Sequence, residues 1–256
     1  MLMKLLALGL FTYVLLAAAV WAGQRALLYH PQPQGAAVPT VRVPTSDGVV
    51  VHALAQDTHR SEAVLYLGGN AEDVSQGLPT LAQAFPNRAL YALQYRGFGQ
   101  SQGQATEAAL VGDALALAQQ VLATHSRLTV VGRSLGSGVA VQVAAGLAAS
   151  SQLDRLVLVT PYDSMAEVAQ GHYPWLPARW LIKDKFESLV HAPQIRLPTL
   201  ILVAERDLVV PKARAQGLLQ AFPAGVARWV ELPGTDHNSV GAHARYVSLI
   251  GALDGF

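Results

Sequence analysis

Residues 127–149 read RLTVVGRSLGSGVAVQVAAGLAA. The run Arg127 to Val131 is apolar without alternation after its first residue, which predicts a strand covered on both faces of a sheet. The small-residue stretch from Leu135 to Ala149 predicts a helix. Between them Gly132-Arg133-Ser134-Leu135-Gly136 matches G-x-S-x-G. A very tight strand-to-helix turn needs glycine on both flanks to escape backbone and side-chain clash. Such a turn lifts the Ser134 hydroxyl above the sheet beside a helix N-terminus, where free N–H groups and the helix dipole favour developing negative charge. Gly and Ser are common and serine often caps helices. The strand before and the helix after are what make Ser134 a candidate nucleophile.

Working outward, short apolar runs alternate with helical patterns. Strands are expected at Val49–Ala55, Ala63–Leu67, Ala89–Leu93, Leu153–Val159, Thr199–Val203 and Ala227–Leu232. Helices are expected at Val74–Ala84, Thr106–Ala123, Pro211–Ala221 and His237–Leu253. That alternation specifies an α/β fold with a mostly parallel central sheet and helices on both faces. Residues 162–190 break the rhythm with aromatic clusters and prolines. They predict a lid-like excursion that supplies apolar walls to a pocket, the alternative being an ordinary crossover helix.

A serine hydroxyl needs a base. Of the eight histidines, His237 follows a late strand and the turn Pro233-Gly234-Thr235-Asp236, at the strand's C-terminal end, where open α/β sheets place their sites. Asp207, past the strand TLILV, is the candidate orienting acid. Glu205 and Asp163 are its rivals, and Asp236 is too near His237 in sequence to reach round to the imidazole. The order Ser134, Asp207, His237 suits a strand–turn–helix nucleophile and differs from the orders in other serine hydrolase folds. An oxyanion requires two backbone N–H donors. Leu135, directly after the nucleophile, is one candidate. Asn70, in the Gly68-Gly69-Asn70-Ala71 turn, is the other.

The first thirty residues differ from the rest. Leu5 to Ala22 carry no charge, just enough for a membrane-spanning helix, with Trp21 and Tyr29 as possible interfacial anchors. A cleaved signal peptide is the competing reading. Lys4 precedes the run and Arg25 follows it, so the positive-inside bias favours a body on the non-cytoplasmic side. Residues 31–40 (PQPQGAAVPT) read as a linker, leaving 41–256 as one domain. The 256 residues are 52% hydrophobic and 14% charged, with net charge +1. That composition is globular and offers no basic patch for nucleic acid. The absence of cysteine removes disulfides, thiol nucleophiles and thiolate metal sites.

Together Gly69-Asn70-Ala71-Glu72-Asp73-Val74, Tyr95-Arg96-Gly97-Phe98-Gly99-Gln100-Ser101, Gly132-Arg133-Ser134-Leu135-Gly136, Asp207-Leu208-Val209-Val210-Pro211 and Asp236-His237-Asn238 make the chain resemble the BEM46-like branch of the α/β-hydrolase superfamily, from about residue 40 to the C-terminus. The resemblance implies the same triad, Ser134, Asp207 and His237, and an N-terminal membrane anchor. Gly68 stands where many relatives carry His, and Gln94 where many carry Asp; both bear on how the oxyanion loop is braced. The expected activity is cleavage of a carboxylic ester or thioester, of a small-molecule or lipid acyl substrate, through an acyl-enzyme, with no metal or organic cofactor. A peptidase or amidase with the same triad, or a silent membrane-tethered binding protein, are the rivals.

Overall fold

The computed structural model describes residues 1–252. Eight strands form one sheet: β1 (Thr40–Val43), β2 (Val51–Gln56), β3 (Glu62–Leu67), β4 (Ala89–Leu93), β5 (Arg127–Arg133), β6 (Leu153–Val159), β7 (Thr199–Ala204) and β8 (Ala227–Leu232). Their spatial order is β1-β2-β4-β3-β5-β6-β7-β8. β2 is antiparallel to β1 and β4, and every pairing from β4 to β8 is parallel.

Both faces of this sheet are buried, and the side-chain period of two divides its residues between them. In β3, Ala63, Leu65 and Leu67 join one apolar cluster while Val64 and Tyr66 join the other. β6 does the same, with Leu156 and Leu158 on one side and Val157 and Val159 on the other. Helices α3 (Glu107–Leu122), α4 (Leu135–Gly146) and α8 (Lys212–Ala221) contribute to the first cluster. Helices α2 (Leu78–Ala84) and α9 (Tyr246–Gly251) contribute to the second. The doubly covered α/β architecture is therefore the one the apolar runs imply.

The differences lie at element ends. β1, a four-residue edge strand behind Pro39, has too few residues to announce a period. The helix expected over Val74–Ala84 is a 3₁₀ turn at Val74–Gln76 followed by α2, the break falling at Gly77. The last expected helix does not start at His237. Asp236 accepts from the N–H groups of Asn238 and Ser239, closing a local turn that competes with the helix. A 3₁₀ turn at Val240–Ala242 and the short α9 follow; Leu253 lies outside the described residues. Residues 31–38 form no helix or strand, but they run fastened along the body. Gly35 N–H donates to Asp73 at 2.8 Å and Gln94 Nε2 to Gln34 Oε1 at 2.8 Å.

Residues 162–190 form the excursion between β6 and β7, with helices α5 (Met165–His172), α6 (Ala178–Leu181) and α7 (Ser188–His191). Helix α1 (Leu2–Leu28) has no buried residue and is long and apolar enough to cross a membrane. Its C-terminal half runs beside the excursion. Arg25 makes a two-pronged ion pair with Asp184, at 2.9 and 3.2 Å, and Lys183 Nζ lies 3.8 Å over the Trp21 ring.

Candidate active site

Ser134 sits between β5 and α4 at φ 49°, ψ −117°. A non-glycine residue with positive φ is strained, and such strain persists only where neighbours fix it. Here the Ser134 N–H donates to Val159 O at 2.9 Å, and its carbonyl accepts from Ser137 N–H and Oγ at 2.8 and 2.7 Å. The flanking glycines are required by space. A Cβ on Gly136 would stand 2.0 Å from Leu67 O, and one on Gly132 would stand 2.5 Å from Ala140 Cβ and from Gly136 O. The elbow is thus pressed against the end of β3.

His237 and Asp207 come from the loops after β8 and β7, at the same end of the parallel strands as Ser134, and both are buried. Asp207 Oδ2 lies 2.8 Å from His237 Nδ1, and His237 Nε2 lies 2.9 Å from Ser134 Oγ. An ionised carboxylate can only accept, so Nδ1 carries the ring proton and Nε2 is left to accept from the hydroxyl. The other Asp207 oxygen, Oδ1, takes N–H bonds from Val209 (2.9 Å) and Val210 (2.7 Å), which fixes the carboxylate plane.

The rival acids are occupied elsewhere. Glu205 Oε2 accepts from Gly234 N–H. Asp163 faces Arg214 at 3.2 Å, and burial holds its pKa above the ordinary carboxylate value. Asp236 caps its own turn. Among the other histidines, His125 bonds Tyr91 OH and Arg60 O, and His172, at the end of α5, bonds Val209 O at 2.8 Å. The excursion therefore touches the acid loop.

Leu135 opens α4, so its N–H is one of the groups a helix leaves without an internal partner. Asn70 lies on the turn after β3, whose Gly69 is so close that a Cβ there would meet Ser134 Cβ at 3.5 Å. The Asn70 side chain is tied to the chain at and after the end of α1. Its amide donates to Leu28 O at the end of α1, and its Oδ1 accepts from His30 N–H at 2.9 Å.

Two residues escaped the sequence reading although both lie in its motifs. Glu72 accepts from Gly69 N–H at 2.7 Å, Arg133 Nη1 at 2.9 Å and Tyr66 OH at 2.5 Å. Arg133 also donates to the carbonyl of His237 at 3.3 Å. One ion pair thus joins the loops that carry Asn70, Ser134 and His237. Burial works against the charge on Arg133, but Glu72 together with Tyr66 and Tyr246 holds the guanidinium above its ordinary pKa. Tyr95, whose OH donates to Gly68 O at 3.0 Å, braces the same loop. The available signal was a pair of opposite charges at two strand ends that parallel β3 and β5 bring level. Among the described residues, no three His, Asp or Glu side chains gather to hold a metal ion.

Comparison with known proteins agrees with this arrangement at the level of family. Residues 58–189 match the family described as serine aminopeptidase, S33. An uncharacterized protein of Mycobacterium tuberculosis (strain CDC 1551 / Oshkosh) is 34% identical over 254 residues, 91% of this chain and 85% of that one. Lysophosphatidylserine lipase ABHD12 of Danio rerio is 32% identical over 169 residues, 58% of this chain and 44% of that one. Protein bem46 of Schizosaccharomyces pombe is 24% identical over 190 residues, 68% and 61% of the two chains. Among solved structures, the Pyrococcus furiosus esterase Pf2001 superposes with a TM-score of 0.69 at 16% identity, covering 88% of this chain and 96% of that one, a likeness of fold.

Proposed function

For a chain that belongs to the α/β-hydrolase family, among its BEM46-like members, and is therefore a hydrolase, we propose that the reaction is cleavage of a carboxylic ester or thioester of a lipophilic acyl group through an acyl-enzyme on Ser134. The observation that carries this reading is the unbroken hydrogen-bond chain Ser134 Oγ, His237 Nε2/Nδ1, Asp207 Oδ2. His237 takes the Ser134 proton as Oγ attacks the acyl carbon. It then returns that proton to the departing alcohol or thiol. Water, deprotonated by the same imidazole, releases the acid. Asp207 keeps the ring in the required tautomer and stabilises its charged form. The N–H groups of Asn70 and Leu135 receive the oxyanion, and the Glu72–Arg133 pair holds their loops in register.

Residues 41–256 are taken as the hydrolase domain, 31–40 as its connector and 162–190 as its lid. The apolar run 5–22 holds the enzyme at a membrane, with the body on the non-cytoplasmic side. The lipase relative's printed activity and the apolar surface of the lid and α1 favour a lipophilic acyl group. The family's own description favours a second reading, peptide-bond cleavage by the same residues. A fluorophosphonate probe should label the full-length protein and fail to label Ser134→Ala. Nitrophenyl esters of longer acyl chains should turn over faster than the acetate. Absence of labelling overturns the hydrolase mechanism; a strict preference for acetyl esters or for amides overturns the acyl assignment.

A further inference from the structure

The chain that leaves α1 is bonded to the body along its length. Tyr29 is buried. Gln32 O accepts from Gly99 N–H at 2.8 Å, and Gln34 Oε1 takes the side-chain amides of Gln94 and Gln100 at 2.8 and 2.9 Å. Gly35 N–H donates to Asp73 at 2.8 Å and Ala36 N–H to Ser75 Oγ at 3.1 Å. Residues 28–36 are therefore a strap laid across two segments, 70–75 and 94–100. A spacer needs no fixed contacts with what it joins.

The hold on Asn70 is two-pronged. Its side-chain amide donates to Leu28 O, and its Oδ1 accepts from His30 N–H at 2.9 Å. One side chain thus satisfies the backbone on both sides of Tyr29. The next residue, Ala71, has φ 56°. A non-glycine residue in that region is strained, and the strain persists only where the surroundings fix it. Glu72 fixes the turn from within by accepting from Gly69 N–H at 2.7 Å, and the strap fixes it from outside. The N–H of Asn70, the one assigned to the oxyanion, donates to no group among the described residues. A donor of that kind stabilises a transition state by being in place before the charge develops.

We propose that residues 28–36 are a positioning element of the active site: acting through the Asn70 side chain, the strap sets the Asn70 N–H that receives the oxyanion. Asn70 then serves the reaction through its backbone, and positions that backbone through its side chain. The end of α1 and the oxyanion turn form one unit, so displacing the first misplaces the second. The inference rests on the acyl-enzyme reading above.

The test uses the full-length protein in detergent micelles, a nitrophenyl ester, and a trifluoromethyl ketone of the same chain length. The ketone carbon takes Ser134 Oγ, the serine proton passes to His237, and the ketone oxygen becomes the oxyanion. Asn70→Ala keeps the backbone N–H and removes both bonds to the strap. Its kcat should fall about 10- to 100-fold with KM within about twofold, since a misplacement of ~1 Å costs up to ~10². The ketone should bind more weakly by the factor lost in kcat/KM. His30→Pro deletes one bond from the strap's side, and should lose about fivefold more kcat than His30→Ala, which keeps the N–H, the worth of one neutral hydrogen bond. The double variant should be no slower than Asn70→Ala, because the bond that His30→Pro removes is already gone. Wild-type kcat in Asn70→Ala, equal rates in the two His30 variants, losses that multiply in the double variant, or a raised KM in place of a lowered kcat overturns the proposal. Melting curves establish folding, and if Asn70→Ala or His30→Pro does not fold, the other decides. A wild-type protein that neither cleaves the ester nor reacts with a fluorophosphonate overturns the acyl-enzyme reading instead, a result distinct from an active wild type with unimpaired variants.

Discussion

Replacing Asp207 by Asn preserves the shape of the side chain and removes its charge, and the structure dictates what the amide must do. Oδ1 accepts two backbone N–H bonds, from Val209 at 2.9 Å and Val210 at 2.7 Å. An –NH₂ there would face two donors and lose both bonds, so the amide oxygen must keep that position. The –NH₂ then points at His237 Nδ1, 2.8 Å away in the native side chain. Nδ1 is forced to accept, and the ring proton moves to Nε2. Nε2 now presents a hydrogen to Ser134 Oγ, 2.9 Å away, and cannot take the serine proton. An error of this kind, wrong tautomer with intact geometry, costs ~10⁴ in kcat, roughly 5.4 kcal/mol of barrier. Asp207→Asn should therefore lose about four orders of magnitude in kcat on a nitrophenyl ester, with KM little changed and an unaltered circular dichroism spectrum. The ¹⁵N signals of the imidazole should show the proton transferred to Nε2. Retention of more than a tenth of wild-type kcat, or a proton still on Nδ1, would refute the reasoning.

Other consequences are equally direct. Gly136→Ala places a methyl group 2.0 Å from Leu67 O and 2.5 Å from Gly68 O. It should destabilise the protein by about 3 kcal/mol or more by overpacking, read as a lower urea midpoint, with reactivity at Ser134 reduced even in the folded fraction. Glu72→Gln leaves Arg133 without its anion in a largely buried site. A loss of about 3 kcal/mol of stability is expected, with kcat falling more than KM rises, by up to the ~10² that one oxyanion donor is worth. Burial raises the Tyr246 hydroxyl to about 12 and holds Tyr66, Tyr95 and Tyr162 well above the usual tyrosine value. A folded pKa above the unfolded value of ~10 favours the neutral, folded form, so this stability is complete below pH 10 and is lost as pH rises toward 12. The melting temperature should fall over that window, less steeply in Tyr246→Phe; a flat profile would contradict the assignment.

Covalent pattern alone determined the elements that carry the most apolar residues per unit length. Continuous runs such as LTVV and LVLV have to be covered on two sides, whatever surrounds them, so β3 to β8 and the α/β class were legible locally. Ser134 was legible for the same reason: its glycines are demanded by a turn of five residues. Asp207 and His237 were legible as residues past strand ends, because parallel strands bring those ends to one rim. Partner choice among carboxylates was not. Asp163, Glu205 and Asp207 all follow strands, and only the folded loops direct Asp163 to Arg214, Glu205 to Gly234 and Asp207 to His237. The Glu72–Arg133 brace depends on two residues 61 apart in sequence, and the start of α9 on an Asp236 turn that outcompetes a helical pattern. The excursion's position beside α1 likewise arises from contacts such as Tyr13 with Trp175, 162 residues apart. Local sequence fixes what each segment must bury, since burial and turn sterics act within a few residues. Which segments meet is decided by the free energy of the whole packed chain, and it can be read only from the tertiary structure.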